Sequence, residues 1–190
     1  MAPEHPLPPD APARREKSHD ELVGEAMHEL PYGIYVIGSV RDGEPNGMIA
    51  DWVMQVSFTP RLVAVAFEDD SRSLGRIRAN RAFTVNLLTE EPDSVELARA
   101  FLQPYDASKI KGRSAEAAAQ RHDKLAGIDY TTRDSGCPVL DDALAWLECE
   151  AEQFIEAGDH VIVIGRVLDG AILHSAEPLT SLYTGWTYSG

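Results

Sequence analysis

The chain has 190 residues, of which 44% are hydrophobic and 25% are charged, proportions that fit one globular domain with a sizeable core. Its 17 basic residues stand against 31 acidic ones, which gives a formal net charge of -14. A chain this acidic repels phosphate backbones, so the composition argues against nucleic acid as a partner.

The two cysteines, Cys137 and Cys149, lie apart in the sequence and lack the spacing of metal ligands. They predict neither a disulfide framework nor a metal site, and they favour a reducing, cytoplasmic compartment. The longest apolar runs have the length of strands, and the N-terminus lacks the apolar region of a signal peptide. We therefore expect a soluble protein without a membrane-spanning segment.

The N-terminal region changes character near residue 18. Residues 1–17 contain five prolines among charged residues, a composition that cannot bury enough apolar surface to offset the entropy lost on ordering. Ser18 is then followed by Glu21, as in a capping box, and by apolar residues at helical spacing. The sequence thus predicts a disordered tail over 1–17, a domain over 18–190, and a first helix ending near Glu29.

A β-hairpin is predicted next. The runs 34–40 and 46–57 have the length of strands and are separated by turn-forming residues. Residues 62–67 are apolar without alternation, which predicts a strand covered on both faces. The second arm of the hairpin begins with small and polar side chains, so a flat ligand can lie against its backbone. These side chains are Asn46, Gly47, Ala50 and Asp51.

Residues 71–80 predict a short helix capped by Ser71 or Ser73. From residue 71 to residue 81 there are four arginines and no acidic residue, an island of positive charge in an acidic chain. The start of a helix offers unpaired N–H groups to a phosphate. The alternative interpretation is a capped surface helix whose arginines are solvated.

The remaining elements are mostly strands. Residues 83–88 predict a strand, residues 92–102 a helix with an acidic first turn, and residues 104–129 a polar loop. A loop this long is usually functional or mobile, and we expect a functional one to cover a ligand or to fold over a neighbouring subunit. Residues 147–152 alternate apolar side chains with glutamates, which predicts a strand with one wet and one dry face.

The last strands complete the predicted fold. A short connector leads into the apolar run 161–168, and Asp169-Gly170 predicts a further turn. Strands that follow one another through short turns predict a mainly β fold with flanking helices, an antiparallel barrel. No glycine-rich dinucleotide fingerprint and no Walker loop occurs, so no separate nucleotide-binding domain is expected.

Residues 46–57 resemble the flavin-binding signature of the flavin reductase-like family, a group of FMN-binding split β-barrels. The family pattern runs Asn-Gly-Met-Thr-Ala-Ser-Trp, then Gln-Val-Ser, then Pro and an apolar strand. The chain departs from it at Ile49, Asp51 and Arg61, where the family more often has Thr, Ser or Asn, and a second Pro. The matching residues are Asn46, Gly47, Met48, Ala50, Trp52, Gln55, Val56, Ser57 and Pro60. The resemblance continues at 83–88, 158–160, 164–167 and 178–179, and so covers the chain from about residue 27 onward.

This resemblance implies the residues of a site. The flavin ring and ribityl chain would be held by Asn46, Met48, Ile49, Ala50, Asp51 and Trp52, and the phosphate end by Ser71, Arg72, Ser73 and Leu74. His160 would be the catalytic residue in contact with the nicotinamide or the open face of the flavin, and no metal is implied. The position of Lys109 lies near the cofactor in the family. Trp186 and Tyr188 would form an aromatic lid, or would pack against a dimer partner.

Asp51 leaves three interpretations open. An ionised carboxylate only accepts hydrogen bonds, so Asp51 would help to hold oxidised flavin if it faces N3–H of the ring. If it lies near N1, it would oppose the negative charge of the reduced flavin. In the third interpretation it points away and caps a turn.

The function implied is transfer of hydride from NADH or NADPH to FMN by a homodimer, with FAD as the other flavin in question. Reduced flavin would then serve a monooxygenase or another electron acceptor. Two alternatives stay open: an FMN-holding electron carrier or sensor without free-flavin reductase activity, and a related split barrel that oxidises a small amine or reduces a deazaflavin. All flavin interpretations require the second hairpin arm and the arginine-rich helix start to converge in space.

Overall fold

The computed structural model describes residues 16–102 and 123–186 of the chain. The chain divides into two compact units, residues 1–30 and residues 31–190. The predicted disordered tail, except for its last two residues, lies outside the described residues, as do Lys109 and Tyr188. In the described part, no helix combines the length and hydropathy needed to cross a bilayer.

The first unit contains helix α1, His19–His28. The predicted capping box is confirmed: Ser18 Oγ accepts a hydrogen bond from the Glu21 backbone N–H at 3.2 Å, and the Glu21 carboxylate accepts one from the Ser18 N–H at 2.6 Å. These two bonds satisfy donors that would otherwise be unpaired at the helix start.

The second unit is built on a seven-stranded antiparallel sheet with the order β2-β1-β5-β8-β9-β4-β3. A two-stranded sheet, β6-β7, accompanies it. The strands are β1 Tyr35–Arg41, β2 Glu44–Ala50, β3 Val53–Phe58, β4 Arg61–Glu68, β5 Ala82–Leu87, β6 Tyr130–Thr132, β7 Pro138–Leu140, β8 Ala145–Ala157 and β9 His160–Ile172. The described residues of this unit also form the helices α2 Arg72–Asn80, α3 Pro92–Leu102 and the short α4 Ser181–Thr184.

The predicted hairpin of β1 and β2 is confirmed, and its turn is tighter than expected. The strands pair from Tyr35 opposite Ala50 to Arg41 opposite Glu44. Only Asp42 and Gly43 lie between them, with φ of 54° and 79°. Two successive residues with positive φ match the twist of the flanking strands, and Asp-Gly is a favoured pair for this turn.

The prediction of one continuous strand over residues 46–57 is wrong. β2 ends at Ala50 and β3 begins at Val53, and the two strands form opposite edges of the sheet. Trp52 lies in the break, where its C=O accepts a hydrogen bond from the Ala66 backbone N–H of β4 at 3.0 Å. β2 therefore pairs with β1, whereas β3 pairs with β4 at the other edge of the sheet. Hydrophobic patterning alone does not reveal this change of partner.

Two further predictions about strands fail. β9 continues through Asp169-Gly170 to Ile172, paired with β8, so the predicted turn at 169–170 is absent. The face of β8 predicted to be solvent-exposed is only partly exposed, because Glu148 is buried. Its carboxylate accepts hydrogen bonds from Ser135 N at 3.1 Å and from Ser135 Oγ at 2.7 Å. The register of β8 against β9 shifts beside Glu148, which disturbs the simple alternation.

Two apolar clusters form the core, and β1 contributes to both. Ile37 belongs to a cluster that includes Leu74 and Ile77 of α2, whereas Val36 belongs to a cluster that includes Ala98 and Phe101 of α3. Neighbouring residues of a strand point to opposite faces, so β1 separates the two clusters. This arrangement fixes α2 and α3 on either side of β1 and β2.

The contact between Gly47 of β2 and the Phe101 ring provides a test of this packing. A Cβ atom added at Gly47 would lie 2.3 Å from Cε1 of Phe101, so Gly47→Ala must displace the buried ring. We expect the free energy of unfolding in urea to fall by about 1–3 kcal/mol.

Gly75→Ala, inside α2, is the matched control. A Cβ at Gly75 meets no atom within 4 Å, so the variant should gain about 0.5–1 kcal/mol from helix propensity. Equal stability changes in the two variants would show that the ring does not pack closely on Gly47.

Candidate functional site

An apolar cavity of about 260 Å³ lies where β2, α2, α3 and β9 meet. We call it the apolar cavity, and its walls include Met48, Ile49, Ala50, Ala66, Phe67 and Phe101. Its polar lining comes from Asp51, Glu68, Ser71, Lys124, His160 and Ser181. Mostly apolar walls with a few converging polar groups are typical of a small-molecule site, although this volume is slightly below the usual range of about 300–1,000 Å³.

The strand break between β2 and β3 forms one edge of the apolar cavity. Asp51 and Trp52, the residues of the break, both line it. The Trp52 ring lies between two other rings, with centroids 6.4 Å from Tyr32 and 4.8 Å from His160. This row of tilted rings restricts the orientation of Trp52.

His160 is the first residue of β9 and lies beside several carboxylates. Its Nδ1 is 2.6 Å from Asp159 Oδ1, and in the register of β4 and β9 it is opposite Glu68. The hydrogen bond and the charge of His160 lower the pKa of Asp159. A carboxylate at Nδ1 favours the tautomer that carries its proton there, which leaves Nε2 as the second polar atom of the ring.

Burial raises the pKa of Asp51. Hydrogen bonds from the backbone N–H groups of Asp51 and Trp52, and a charged His160, act in the opposite direction. Desolvation is the larger effect, so this part of the apolar cavity disfavours the ionised carboxylate.

A second cavity, of about 430 Å³, adjoins the first and has polar walls. We call it the basic cavity because three cationic side chains line it: Arg72 and Arg76 of α2, and Lys124. Arg76 is buried, and its Nη1 donates to the Glu44 C=O at 2.6 Å. The remaining lining comes from Gly43, Glu44, Pro45, Asn46, Asp123, Leu125 and Tyr130.

Lys124 lines both cavities. Its side chain is buried, and Nζ donates to the Phe101 C=O at 3.1 Å, near the end of α3. A cation is favourable beside the last carbonyls of a helix. Burial nevertheless, together with the smaller effect of the positive charge of Arg72, lowers the pKa of Lys124 to about 8.

The start of α2 and strand β2 converge, as the sequence predicts. Ser71 caps the helix, accepting from the Leu74 N–H at 3.5 Å, and its Oγ donates to Met48 Sδ at 3.6 Å. Asn46 Nδ2 donates to Ser73 Oγ at 3.5 Å. The segments predicted to hold the two ends of one ligand are therefore in direct contact.

The predicted site residues divide into three sets. Met48, Ile49, Ala50, Asp51, Trp52, Ser71 and His160 line the apolar cavity, together with Trp186. Asn46 and Arg72 line the basic cavity. Ser73 and Leu74 are buried, Ser73 bonded to Asn46 and Leu74 packed in the first apolar cluster, so their side chains line neither cavity.

Sequence reasoning missed several residues of the site. Phe101 comes from helix α3, Lys124 from the end of the predicted loop over 104–129, and Tyr130 from the strand that follows it, all far along the chain from β2. Only the fold brings them to the cavities, and no local motif marks them. Within residues 16–102 and 123–186, no group of three His, Cys, Asp or Glu side chains is placed to hold a metal ion.

Comparison with known proteins identifies a family. The family model of the flavin reductase like domain matches residues 27–188. A high molecular weight rubredoxin of Moorella thermoacetica is 32% identical over 84% of this chain and 64% of its own. The HsaB reductase subunit of a flavin-dependent monooxygenase from Mycobacterium tuberculosis is 30% identical over 83% of this chain and 75% of its own.

The chain spans less than two thirds of several curated relatives, including that rubredoxin at 64% and the diflavin flavoproteins at 24–28%. Among solved structures, nitrilotriacetate monooxygenase component B from Mycobacterium thermoresistibile superposes with a TM-score of 0.70. It is 26% identical, and the match covers 85% of this chain and 81% of that one. The predicted mainly β, antiparallel split-barrel fold is confirmed, with a sheet that does not close on itself.

Lys124→Met tests whether this buried lysine destabilises the free protein. A pKa lowered from 10.5 to about 8 corresponds to roughly 3 kcal/mol, and loss of the bond to Phe101 offsets about 1 kcal/mol of it. We expect the variant to raise the free energy of unfolding by about 1–2 kcal/mol at pH 7 after allowance for relaxation around the site.

The pH dependence follows from the same values. In the wild type, the loss of folding stability caused by burying charged Lys124 is fully present below the folded-state pKa of about 8. This loss disappears as the pH rises to the ordinary pKa of 10.5. Urea unfolding of wild type and variant at several pH values measures this, with the exposed Lys17→Met as control. A variant less stable than wild type at pH 7 would contradict the assignment of a net cost to Lys124.

Proposed function

Because the chain belongs to the flavin reductase like domain family, we propose that it binds a flavin in the apolar cavity and catalyses reduction of that flavin by NADH or NADPH. FMN is the flavin that the family resemblance implies, with FAD as the alternative. The observation that carries the proposal is the meeting of the β2 end, the capped α2 start and His160 around one apolar cavity of about 260 Å³.

The lining of the cavity fits a flavin. Apolar walls at Met48, Ala50 and Phe101 suit fused rings, and the carboxyl group of Asp51 can accept a hydrogen bond from a ring N–H. Ser71, Arg72 and Lys124 offer a hydroxyl and two cations to a phosphate, together with the start of α2. We assign the ring to the β2 side and the phosphate end to the α2 side.

A bound flavin would supply the redox chemistry itself, since its ring accepts a hydride from the reduced nicotinamide. The protein contributes position and a dry environment. Asp159 orients His160, the proposed catalytic residue, so that its ring faces the nicotinamide from the edge of the cavity. Trp52, packed between Tyr32 and His160, holds that edge in place.

We extend the proposal to assembly and partners. β3 is an edge strand with exposed apolar side chains, Met54 at 63% and Phe58 at 85% exposure, which supports a homodimer through this edge. The name of the HsaB relative supports a monooxygenase as the acceptor of reduced flavin.

A reducing, cytoplasmic compartment is part of the proposal. Cys137 and Cys149 are free and buried. Burial raises the pKa of Cys137 to about 11 and that of Cys149 to about 12, so both thiols stay protonated at neutral pH. Buried, protonated thiols are unreactive, so a reducing compartment suits both cysteines.

A steady-state assay of nicotinamide oxidation tests the enzyme. Loss of NADH or NADPH absorbance should accelerate when FMN or FAD is added to the purified protein. His160→Gln should lower kcat/KM for the nicotinamide by about tenfold or more and change the flavin Kd much less, because the proposal places this ring against the nicotinamide at the edge of the cavity.

His174→Gln is the matched control, since His174 is exposed and lines neither cavity. Flavin-independent oxidation of both nicotinamides, or none at all, would remove the reductase proposal. Equal loss of activity in the two histidine variants would remove the role of His160.

Asp51→Asn tests the interpretation in which Asp51 lies beside the ring. A carboxylate in the cavity opposes the added negative charge of reduced flavin, so its removal should raise the midpoint potential of the bound flavin. A shift of roughly 30 mV corresponds to about 1.4 kcal/mol for a two-electron couple. Redox titration of the flavin absorbance measures the shift.

Asp42→Asn, in the exposed β1–β2 turn, removes the same charge from a residue that lines neither cavity. Equal potentials in the Asp51 and Asp42 variants would support the interpretation in which Asp51 points away from the flavin.

A second candidate is an FMN-holding electron carrier, and Asp51 is the observation that favours it. The family more often has Ser or Asn here, and a carboxylate in the cavity alters flavin redox behaviour rather than nicotinamide binding. A purified protein whose flavin is reduced by a protein partner, but not by NADH or NADPH, would select this candidate.

A further inference from the structure

The apolar and basic cavities share a boundary made by three parts of the chain. Lys124 lines both. On β2, Met48 lines the apolar cavity and Asn46 lines the basic cavity. At the start of α2, Ser71 lines the apolar cavity and its neighbour Arg72 lines the basic cavity. A ligand that extends past this boundary passes directly from one cavity into the other.

The boundary carries a local excess of positive charge. Arg72, Arg76 and Lys124 line the basic cavity, against the carboxylates of Glu44 and Asp123. In a chain with a formal net charge of -14, three cations around one cavity are a marked departure from the average. Charge of this kind attracts phosphate groups, and the arginines can bind them in a bidentate manner.

The basic cavity is larger than a phosphate requires. Its volume of about 430 Å³ exceeds that of the apolar cavity, at about 260 Å³. Beyond the cations, its walls include Pro45, the buried Leu125 and the half-buried Tyr130, which packs against the apolar cluster that contains Leu125. An aromatic ring beside apolar groups is a surface on which a nucleobase stacks.

We propose that the basic cavity receives the adenosine phosphate portion of FAD, so that the protein binds FAD in preference to FMN. The flavin ring lies in the apolar cavity, the diphosphate lies at Lys124 and Arg72, and the adenine lies against Tyr130. The inference rests on the proposed function, because it assigns the ring to the apolar cavity. FMN would reach the boundary with its phosphate and leave the Tyr130 side of the basic cavity without a contact.

Calorimetric titration of the full chain with riboflavin, FMN and FAD tests the proposal. Wild type should bind FAD about tenfold or more tightly than FMN, a ratio expected from stacking of one base on one aromatic ring. Tyr130→Ala should bring that ratio near one by weakening FAD alone. Because the ratio is taken within one variant, a general loss of folding cancels from it.

Tyr183→Ala is the matched control. Tyr183 is 52% exposed and lines neither cavity, so this variant should keep the wild-type ratio. As an independent measurement on wild type, 5′-AMP should compete with FAD and leave riboflavin binding unchanged.

The outcomes separate this proposal from the proposed function. If riboflavin, FMN and FAD all fail to bind, both the proposed function and the adenosine assignment are overturned. If FMN binds and FAD binds no more tightly, the proposed function stands and the adenosine assignment is overturned. If Tyr130→Ala keeps the FAD to FMN ratio but raises KM for NADH, the basic cavity receives the nicotinamide dinucleotide, which also overturns the assignment.

Discussion

The interruption between β2 and β3 is the structural constraint on which the site depends. The chain leaves one edge of the sheet at Ala50 and joins the opposite edge at Val53. The bond from the Ala66 N–H to the Trp52 C=O ties the interruption to β4, and the short contact from the Val53 N–H to the Asp51 C=O tightens it. As a result, two consecutive side chains, Asp51 and Trp52, line a cavity instead of alternating across a sheet.

The packing around that interruption explains why the cavity lies between helices. β1 has apolar side chains on both faces, so α2 packs against one cluster and α3 belongs to the other. Gly47 lets the Phe101 ring approach β2 closely, and the same ring is a wall of the apolar cavity. The dimensions of the cavity are therefore set by core packing, and a change in the core is transmitted to the site.

Much of the fold could be predicted from the sequence, because its signals are local. The capping box at Ser18, the Asp42-Gly43 turn and the cap of α2 depend on residues within a few positions of each other. The interruption at Asp51 could not be predicted in this way, since it depends on a choice between two pairing partners distant along the chain. Glu148 shows the same limit: its alternation predicts exposure, while a hydrogen bond from Ser135 permits burial.

The site was predictable only where the family motif is continuous. Residues 48–52 and Ser71 follow the family pattern and line the apolar cavity, whereas Lys124 and Tyr130 reach the cavities through tertiary structure alone. Leu74 belongs to the predicted phosphate-binding turn, but its side chain packs in the core, so any contact with a phosphate would come from its backbone. Adjacent positions on a helix face different directions, and the motif does not resolve them.

Burial has the same consequence for an acidic and a basic side chain that both line the apolar cavity. It raises the pKa of Asp51 and lowers that of Lys124, so the charged form is disfavoured at both residues. A ligand that is neutral beside Asp51 and anionic beside Lys124 would relieve the cost at the lysine without adding to the cost at the carboxylate. A flavin with a phosphorylated tail has that distribution of charge, and a ligand of the opposite polarity would meet unfavourable electrostatics at both residues. We therefore expect Lys124 to lower the stability of the free protein and an anionic ligand to offset that cost, a trade between stability and binding that is common at functional sites.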